Sequence, residues 1–226
     1  MIELDNVLMD TLQKVKGFIF DCDGVLFDSQ LASLLYINEH LVQLSLNPLP
    51  LDDPKNDYLF ALTLEDILKE LAPNASNNQI RHAMEKVRYD GFIQYMRPAG
   101  NMQEMLSYLK NSGYYLSVMS NRDSSLSVIV EHYKLDNYLK PIITTEVVKP
   151  KPDPEGLLLI LKKWNLKNDE VVFIGDSPSD EKAASNAGIA FWAFNNKKLN
   201  ASLILPDFKT LIEIISLFNS YNDKRK

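Results

Sequence analysis

The stretch "GFIFDCDGVLFDSQ" (17–30) carries four residues of strand-like character straight into Asp21-Cys22-Asp23-Gly24. A second apolar run, "VVFIG" (171–175), leads in the same way into Asp176-Ser177-Pro178-Ser179-Asp180. Carboxylates crowded at the ends of buried segments repel one another unless a cation or a reaction uses them. Asp21 and Asp176 together offer two hard oxygen ligands, which suit Mg2+ with waters and a substrate phosphate completing the octahedron. A carboxylate relieved of that repulsion can attack phosphorus and form an aspartyl-phosphate. Asp23, two residues beyond Asp21, is aimed to the same side by strand alternation, and a second acid there can protonate a leaving oxygen and then activate water. Ser120 and Lys149 can bind phosphoryl oxygens and offset charge in the transition state. Gly24 permits the sharp turn that lets the backbone N–H groups around Cys22 and Asp23 face a phosphate.

These residues need a scaffold that brings distant segments together. Short apolar runs at 17–20, 114–119, 141–145, 171–175, 189–194 and 202–206 read as buried strands, and amphipathic stretches separate them. Leu126, Ile129, Val130 and Tyr133 form one helical stripe, and Leu157, Leu158, Leu161 and Trp164 form another. This alternation predicts an α/β fold, a Rossmann-like parallel sheet covered by helices on both faces. In such a sheet, ligands bind at the carboxyl ends of the strands, where all of the residues above are expected. Between 29 and 97 the alternation stops and only helical patterns remain. Leu31, Leu34, Leu35, Leu41 and Val42 mark the first, "TLEDILKEL" the second with Thr63 and Asp66 in capping-box spacing, and Ile80, Met84 and Val87 the third. The expected organisation is therefore a core of 1–28 plus 98–226 with a small helical cap, 29–97, inserted after the first strand. Leu8, Leu12 and Val15 predict a helix packed on the core ahead of the first strand, and "YNDKRK" reads as a solvated tail.

Composition narrows the field of functions. At 226 residues and 46% hydrophobic, the chain has enough apolar material for a large core. The net charge of −6 argues against a nucleic-acid or anionic-membrane surface. A single cysteine, Cys22, cannot form an internal disulfide and suits a reducing, cytoplasmic setting. No apolar run approaches the roughly 20 residues that span a bilayer, and the acidic start lacks the pattern of a signal peptide.

In order along the chain, "DCDGVLFDS", "SN", "KPKPDP" and "GDSPSD" resemble the four motifs of the haloacid-dehalogenase superfamily. The similarity is to the phosphoglycolate-phosphatase-like branch with a helical cap between motifs one and two, and it runs from about residue 17 to 208. It implies Asp21 as nucleophile and Asp23 as general acid and base. It places Asp176 on Mg2+ with Asp21 and the main-chain carbonyl of Asp23. Ser120 would hold the phosphoryl group, assisted by the Asn121 backbone. Asp180 would orient the motif-three lysine or a metal-bound water. For that lysine the pattern K-P-x-P-D selects Lys149, with Lys151 as the competing reading because "KPDP" fits a shortened form. The phosphate site would thus comprise Asp21, Cys22, Asp23, Gly24, Ser120, Asn121 and Lys149. Dehalogenating members lack a second motif-one aspartate, so Asp23 favours phosphoryl transfer. The expected function is a Mg2+-dependent phosphatase acting on a small phosphorylated metabolite. The alternatives are a phosphomutase like β-phosphoglucomutase and a non-catalytic interaction protein, though the latter should have lost its acids. Specificity would reside in the cap, with Ser29, Gln30, Lys55, Tyr58, Arg81, Arg88 and Arg97 as candidates.

Each motif also has a plainer reading. Ser120-Asn121 alone would be a helix cap, the two lysines solvated loop residues, and Asp180 an acid complementing a helix dipole. The Cys22 side chain, turned away from Asp21 and Asp23, reads as a small buried hydrophobe. His40, His82 and His132 have no metal-ligand spacing.

Overall fold

The computed structural model describes residues 5–223. Six strands form one parallel sheet. They are β1 (Gly17–Phe20), β4 (Tyr115–Met119), β5 (Ile142–Ile143), β6 (Val171–Gly175), β7 (Ala190–Phe194) and β8 (Leu203–Leu205), in the spatial order β5-β4-β1-β6-β7-β8. Phe20 pairs with Val118 on one side and with Ile174 on the other, so β1 lies at the centre. From β1 the chain winds out through β4 and β5 on one side and then through β6, β7 and β8 on the other, which makes the carboxyl end of β1 the point where the winding reverses and a crevice opens.

Alternation along the strands divides the core into two layers. Phe18 and Phe20 face one side with Leu116, Val118, Val172, Ile174 and Trp192. Ile19 faces the other with Met119, Phe173 and Phe191. Helices α1 (Asn6–Lys14), α5 (Met102–Asn111), α6 (Ser125–His132) and α9 (Phe208–Asp223) cover the first layer, and α7 (Glu155–Trp164) and α8 (Pro178–Ala187) the second. Leu8, Leu12 and Val15 of the leading helix region are buried as their spacing predicts. The third strand is shorter than the apolar run 141–145, and in α7 it is Ile160 rather than Leu158 that joins the core. The end of the "YNDKRK" tail lies outside the described residues.

A two-stranded antiparallel ribbon, β2 (Phe27–Asp28) against β3 (Arg97–Pro98), joins the core to the helical segment between them. That segment contains α2 (Gln30–Gln43), α3 (Leu64–Leu71) and α4 (Asn77–Lys86), with 3-10 helices at Pro54–Ala61 and Tyr89–Tyr95. Thr63 accepts a bond from the Asp66 amide and so caps α3, and a full Ser76–Gln79 capping box opens α4. Ile37, Leu41, Leu59, Ile67, Leu68 and Ile80 form its own small core. The expected stripe of α2 is rotated from this one. Leu31 and Val42 are exposed, while Tyr36 and Ile37 are buried, because the helix packs against both the 3-10 segments and the site crevice.

Trp192 is fully buried between β7 and the α1/α9 layer. Truncating it to alanine should lower stability by about 3–5 kcal/mol, as read by urea denaturation; a loss below about 1 kcal/mol would contradict this packing.

Candidate active site

Three of the candidates sit one residue beyond a strand, where the ladder stops and the side chain is freed to point into the crevice. Asp21 follows β1, Ser120 follows β4 and Asp176 follows β6. Ligand oxygens of Asp21, Asp176 and Asp180 lie within 4.8 Å of one another, with Asp21 and Asp180 buried and Asp176 half-buried. Two glycines make the approach possible. Gly24 has φ +76°, and a Cβ there would lie 1.9 Å from Asp176 Oδ2. A Cβ on Gly175 would lie 2.4 Å from that of Asp180.

The cation among these acids is Lys151. Its side chain is 3% exposed, and Nζ lies 2.7 Å from Asp21 Oδ1 and 2.6 Å from Asp180 Oδ1. Lys149, expected in this place, is 75% exposed and its ammonium is 3.8 Å from Asp153 at the surface. The reason is the clamp on the intervening loop. Asn121 Oδ1 accepts the Lys151 amide at 2.7 Å and Asn121 Nδ2 donates to the Lys151 carbonyl at 3.2 Å, turning that residue inward. The Lys149 amide instead donates to Glu155 Oε2, which keeps its side chain outside. Asn121 thus braces the lysine loop with its side chain, a contact that the motif alone does not reveal.

Both Asp180 oxygens are engaged by the protein. Oδ1 takes the Lys151 ammonium, and Oδ2 accepts the amides of Asp176 and Ser177 at 3.2 and 3.0 Å and the Ser177 hydroxyl at 2.5 Å. It positions Lys151 and the Asp176 turn together, and caps α8 while doing so. Asp21 and Asp176 are the less committed carboxylates of the three. Asp21 Oδ1 accepts no hydrogen bond of good geometry despite the nearby ammonium. A buried, hard-oxygen set with an under-satisfied atom fits a small divalent cation.

The charges respond to this crowding. Burial pushes the Asp21 carboxyl well above the usual range; Lys151 pulls it back, and Asp180, Asp176 and Asp23 push it further up. Burial and the neighbouring Asp180 raise Asp176 to about 7. For Lys151 burial works against the charge, but Asp180 and Asp21 outweigh it and hold the ammonium protonated.

Asp23 is gripped by a residue absent from the expected set. Arg122 Nε donates to Asp23 Oδ2 at 2.8 Å and Nη2 to Oδ1 at 2.7 Å, a bidentate pair, and Ser29 Oγ also donates to Oδ1. Burial would raise the Asp23 pKa, yet the Arg122 charge and hydrogen bonds, with that of Ser29, bring it below the ordinary value. Arg122 further donates to Ser33 Oγ at 2.9 Å and stacks on Tyr89, 4.5 Å from the ring centroid. Its place directly after Ser120-Asn121 was the one available signal. Ser120 is buried, its amide donates to the Ile143 carbonyl, and its hydroxyl accepts the Arg122 amide. Cys22 is buried in the core layer beside Phe18 and Phe20.

Of the seven cap candidates, Ser29, Gln30 and Tyr58 line the crevice. Arg81 and Arg88 border an adjoining cleft of about 860 Å³ that shares Tyr36, Leu64, Asn121, Asp123 and Ser125 with the crevice but holds none of the three clustered acids. Arg97 lies in an outer groove.

A parallel sheet of this order, with an acid cluster and an inward lysine at its carboxyl edge and a helical insert above, is a doubly wound α/β core with its candidate site in the crossover crevice. A family model for haloacid dehalogenase-like hydrolases matches residues 18–194, and the chain belongs to that family. It is 25% identical to the phosphoglycolate phosphatase of Vibrio parahaemolyticus, with 92% of this chain and 99% of the relative covered. With that of Aquifex aeolicus it shares 26%, covering 86% and 91%. A haloacid-dehalogenase-superfamily hydrolase from Geobacter sulfurreducens superposes with a TM-score of 0.71 at 28% identity, covering 89% of this chain and 97% of that one. No helix among the described residues is long and apolar enough to cross a membrane.

Replacing Lys151 with methionine should lower turnover of a phosphomonoester by at least about 100-fold, since a buried ammonium is lost from beside the Asp21 carboxylate. Lys149→Met should stay within about twofold of the parent. Equal losses in the two variants, measured by phosphate release, would put the loop assignment in error.

Proposed function

We propose that the protein is a Mg2+-dependent phosphatase that hydrolyses a small phosphorylated metabolite through an aspartyl-phosphate on Asp21. The observation that carries this reading is the Asp21 carboxylate held by the buried Lys151 ammonium within 4.8 Å of the Asp176 and Asp180 ligand oxygens. The names of the relatives support a phosphatase over a mutase. A reducing, cytoplasmic setting is part of the reading, supported by the lone, buried Cys22.

Asp21 and Asp176, with the main-chain carbonyl of Asp23, would hold the Mg2+, which supplies charge neutralisation for the phosphoryl oxygens and lowers the repulsion around Asp21. An Asp21 oxygen attacks phosphorus as the ester P–O bond breaks, and Asp23 supplies the proton that the departing oxygen takes up. Water then attacks the phosphorus of the acyl phosphate. Asp23 accepts its proton, and inorganic phosphate leaves with the Asp21 carboxylate restored. Lys151 and the Ser120 hydroxyl bind the phosphoryl oxygens as charge develops there. The paired state of Asp23 is that of a base, ready for the second half of this cycle. The first half requires Asp23 to take up a proton from water on one oxygen, while the other keeps its bond from Arg122.

Two outcomes test this reading. Asp21→Asn should retain the fold by circular dichroism and reduce phosphate release by at least about 10⁴-fold, because the nucleophile is gone; a rate near the parent's would remove Asp21 from the role. Treatment with EDTA should abolish phosphate release and added Mg2+ restore it, so activity indifferent to the chelator would sink the metal assignment.

A further inference from the structure

The crevice above the acids is much larger than a phosphoryl group requires. Its volume is about 610 Å³, within the range of roughly 300–1,000 Å³ that encloses drug-sized ligands. Its floor is the catalytic cluster. Its roof comes from α2, the first 3-10 helix and α3, and is walled by Ile37, Leu59, Phe60, Leu62 and Ile67. Polar groups on that side are confined to neutral ones such as Gln30 and Ser33, and Ser33 already receives Arg122.

Charge is distributed just as unevenly. Among the described residues the lining has two cations, Lys151 and Arg122, and both are committed. Lys151 lies between Asp21 and Asp180, and Arg122 makes its bidentate pair with Asp23. A second anion on the substrate, such as a carboxylate two carbons from the phosphate, would find no free cation in the roof. Taking Arg122 from Asp23 would leave the half-buried carboxylate without its cation, which is costly. An apolar leaving group meets neither obstacle, and burying it against the roof is favourable.

We propose, on the basis of the phosphatase reading above, that the substrate is a phosphomonoester with a neutral, largely apolar leaving group of several carbons. This sets the chain apart from relatives named for phosphoglycolate, a small substrate with a second anion.

The test uses the whole protein with Mg2+ and non-hydrolysable phosphonates, in calorimetric titrations with ethyl-, butyl- and hexylphosphonate and with phosphonoacetate. Affinity should rise by about threefold per methylene added, and phosphonoacetate should bind more weakly than butylphosphonate. Leu62→Arg, which places a cation in the roof, should flatten the alkyl series and strengthen phosphonoacetate. A flat series in the parent protein, no binding of any phosphonate, or phosphonoacetate binding as tightly as hexylphosphonate would each overturn the proposal. Phosphate release from hexyl phosphate and from 2-phosphoglycolate is measured in parallel. Release from neither, with the phosphonate order intact, would discard the phosphatase reading while leaving the leaving-group assignment standing.

Discussion

Burying several carboxylates at one sheet edge is the constraint on which the rest of the structure depends. Each would be expelled from an apolar interior unless paired, because an isolated charge there loses its hydration without recompense. The protein meets this with two separate cations. Lys151 lies between Asp21 and Asp180, and Arg122 takes Asp23 in a fork. The two motif-one acids, two residues apart in the chain and alike in type, therefore enter different electrostatic settings. Asp21 is raised by burial and by its acidic neighbours, whereas Asp23 is lowered by Arg122 against the same burial. Pushing two carboxylates apart in this way separates the roles that a nucleophile and a proton carrier need.

The backbone serves that arrangement. Gly24 and Gly175 are placed where any side chain would strike Asp176 or Asp180. Asp180 accepts from the Asp176 and Ser177 amides, so the turn carrying Asp176 and the helix start that follows are held by the same carboxylate that anchors the lysine. Loss of Asp180 would loosen three elements at once, which is why its buried position yields more than a helix cap.

Much of the fold was legible because the strands are short continuous apolar runs, a pattern that only two-sided burial explains. Phe18, Ile19 and Phe20 show it directly, since both faces of β1 are covered. The acids were legible for a related reason: Asp21 and Asp176 interrupt those runs at their carboxyl ends. Other features were not. "KPKPDP" offers two lysines with equivalent local chemistry, and the choice between them is made by Asn121, 30 positions from Lys151 in the chain. Arg122 looks like a loop residue until its partner Asp23, 99 positions away, is in view. The face of α2 was misjudged because the helix serves two neighbours, so its apolar residues do not fall on a single stripe.

Arg122 also connects the two parts of the molecule. It rises from the end of β4, yet its partners Ser33 and Tyr89 belong to α2 and the second 3-10 helix of the inserted segment, and Ser29 reaches Asp23 from the start of the same segment. The hydrogen bonds that fix the charge of Asp23 are thus the ones that seat the insert on the core. Tilting α2 away from the sheet would withdraw Ser29 and Ser33 together, weakening the grip on Asp23 and opening the apolar roof in one movement. Conversely, a ligand that fills the roof presses on the helix whose serines hold Arg122 and Asp23 in place. The roof of the crevice and the carboxylate below it thus share a few short contacts, from Ser29 to Asp23 and from Arg122 to Ser33.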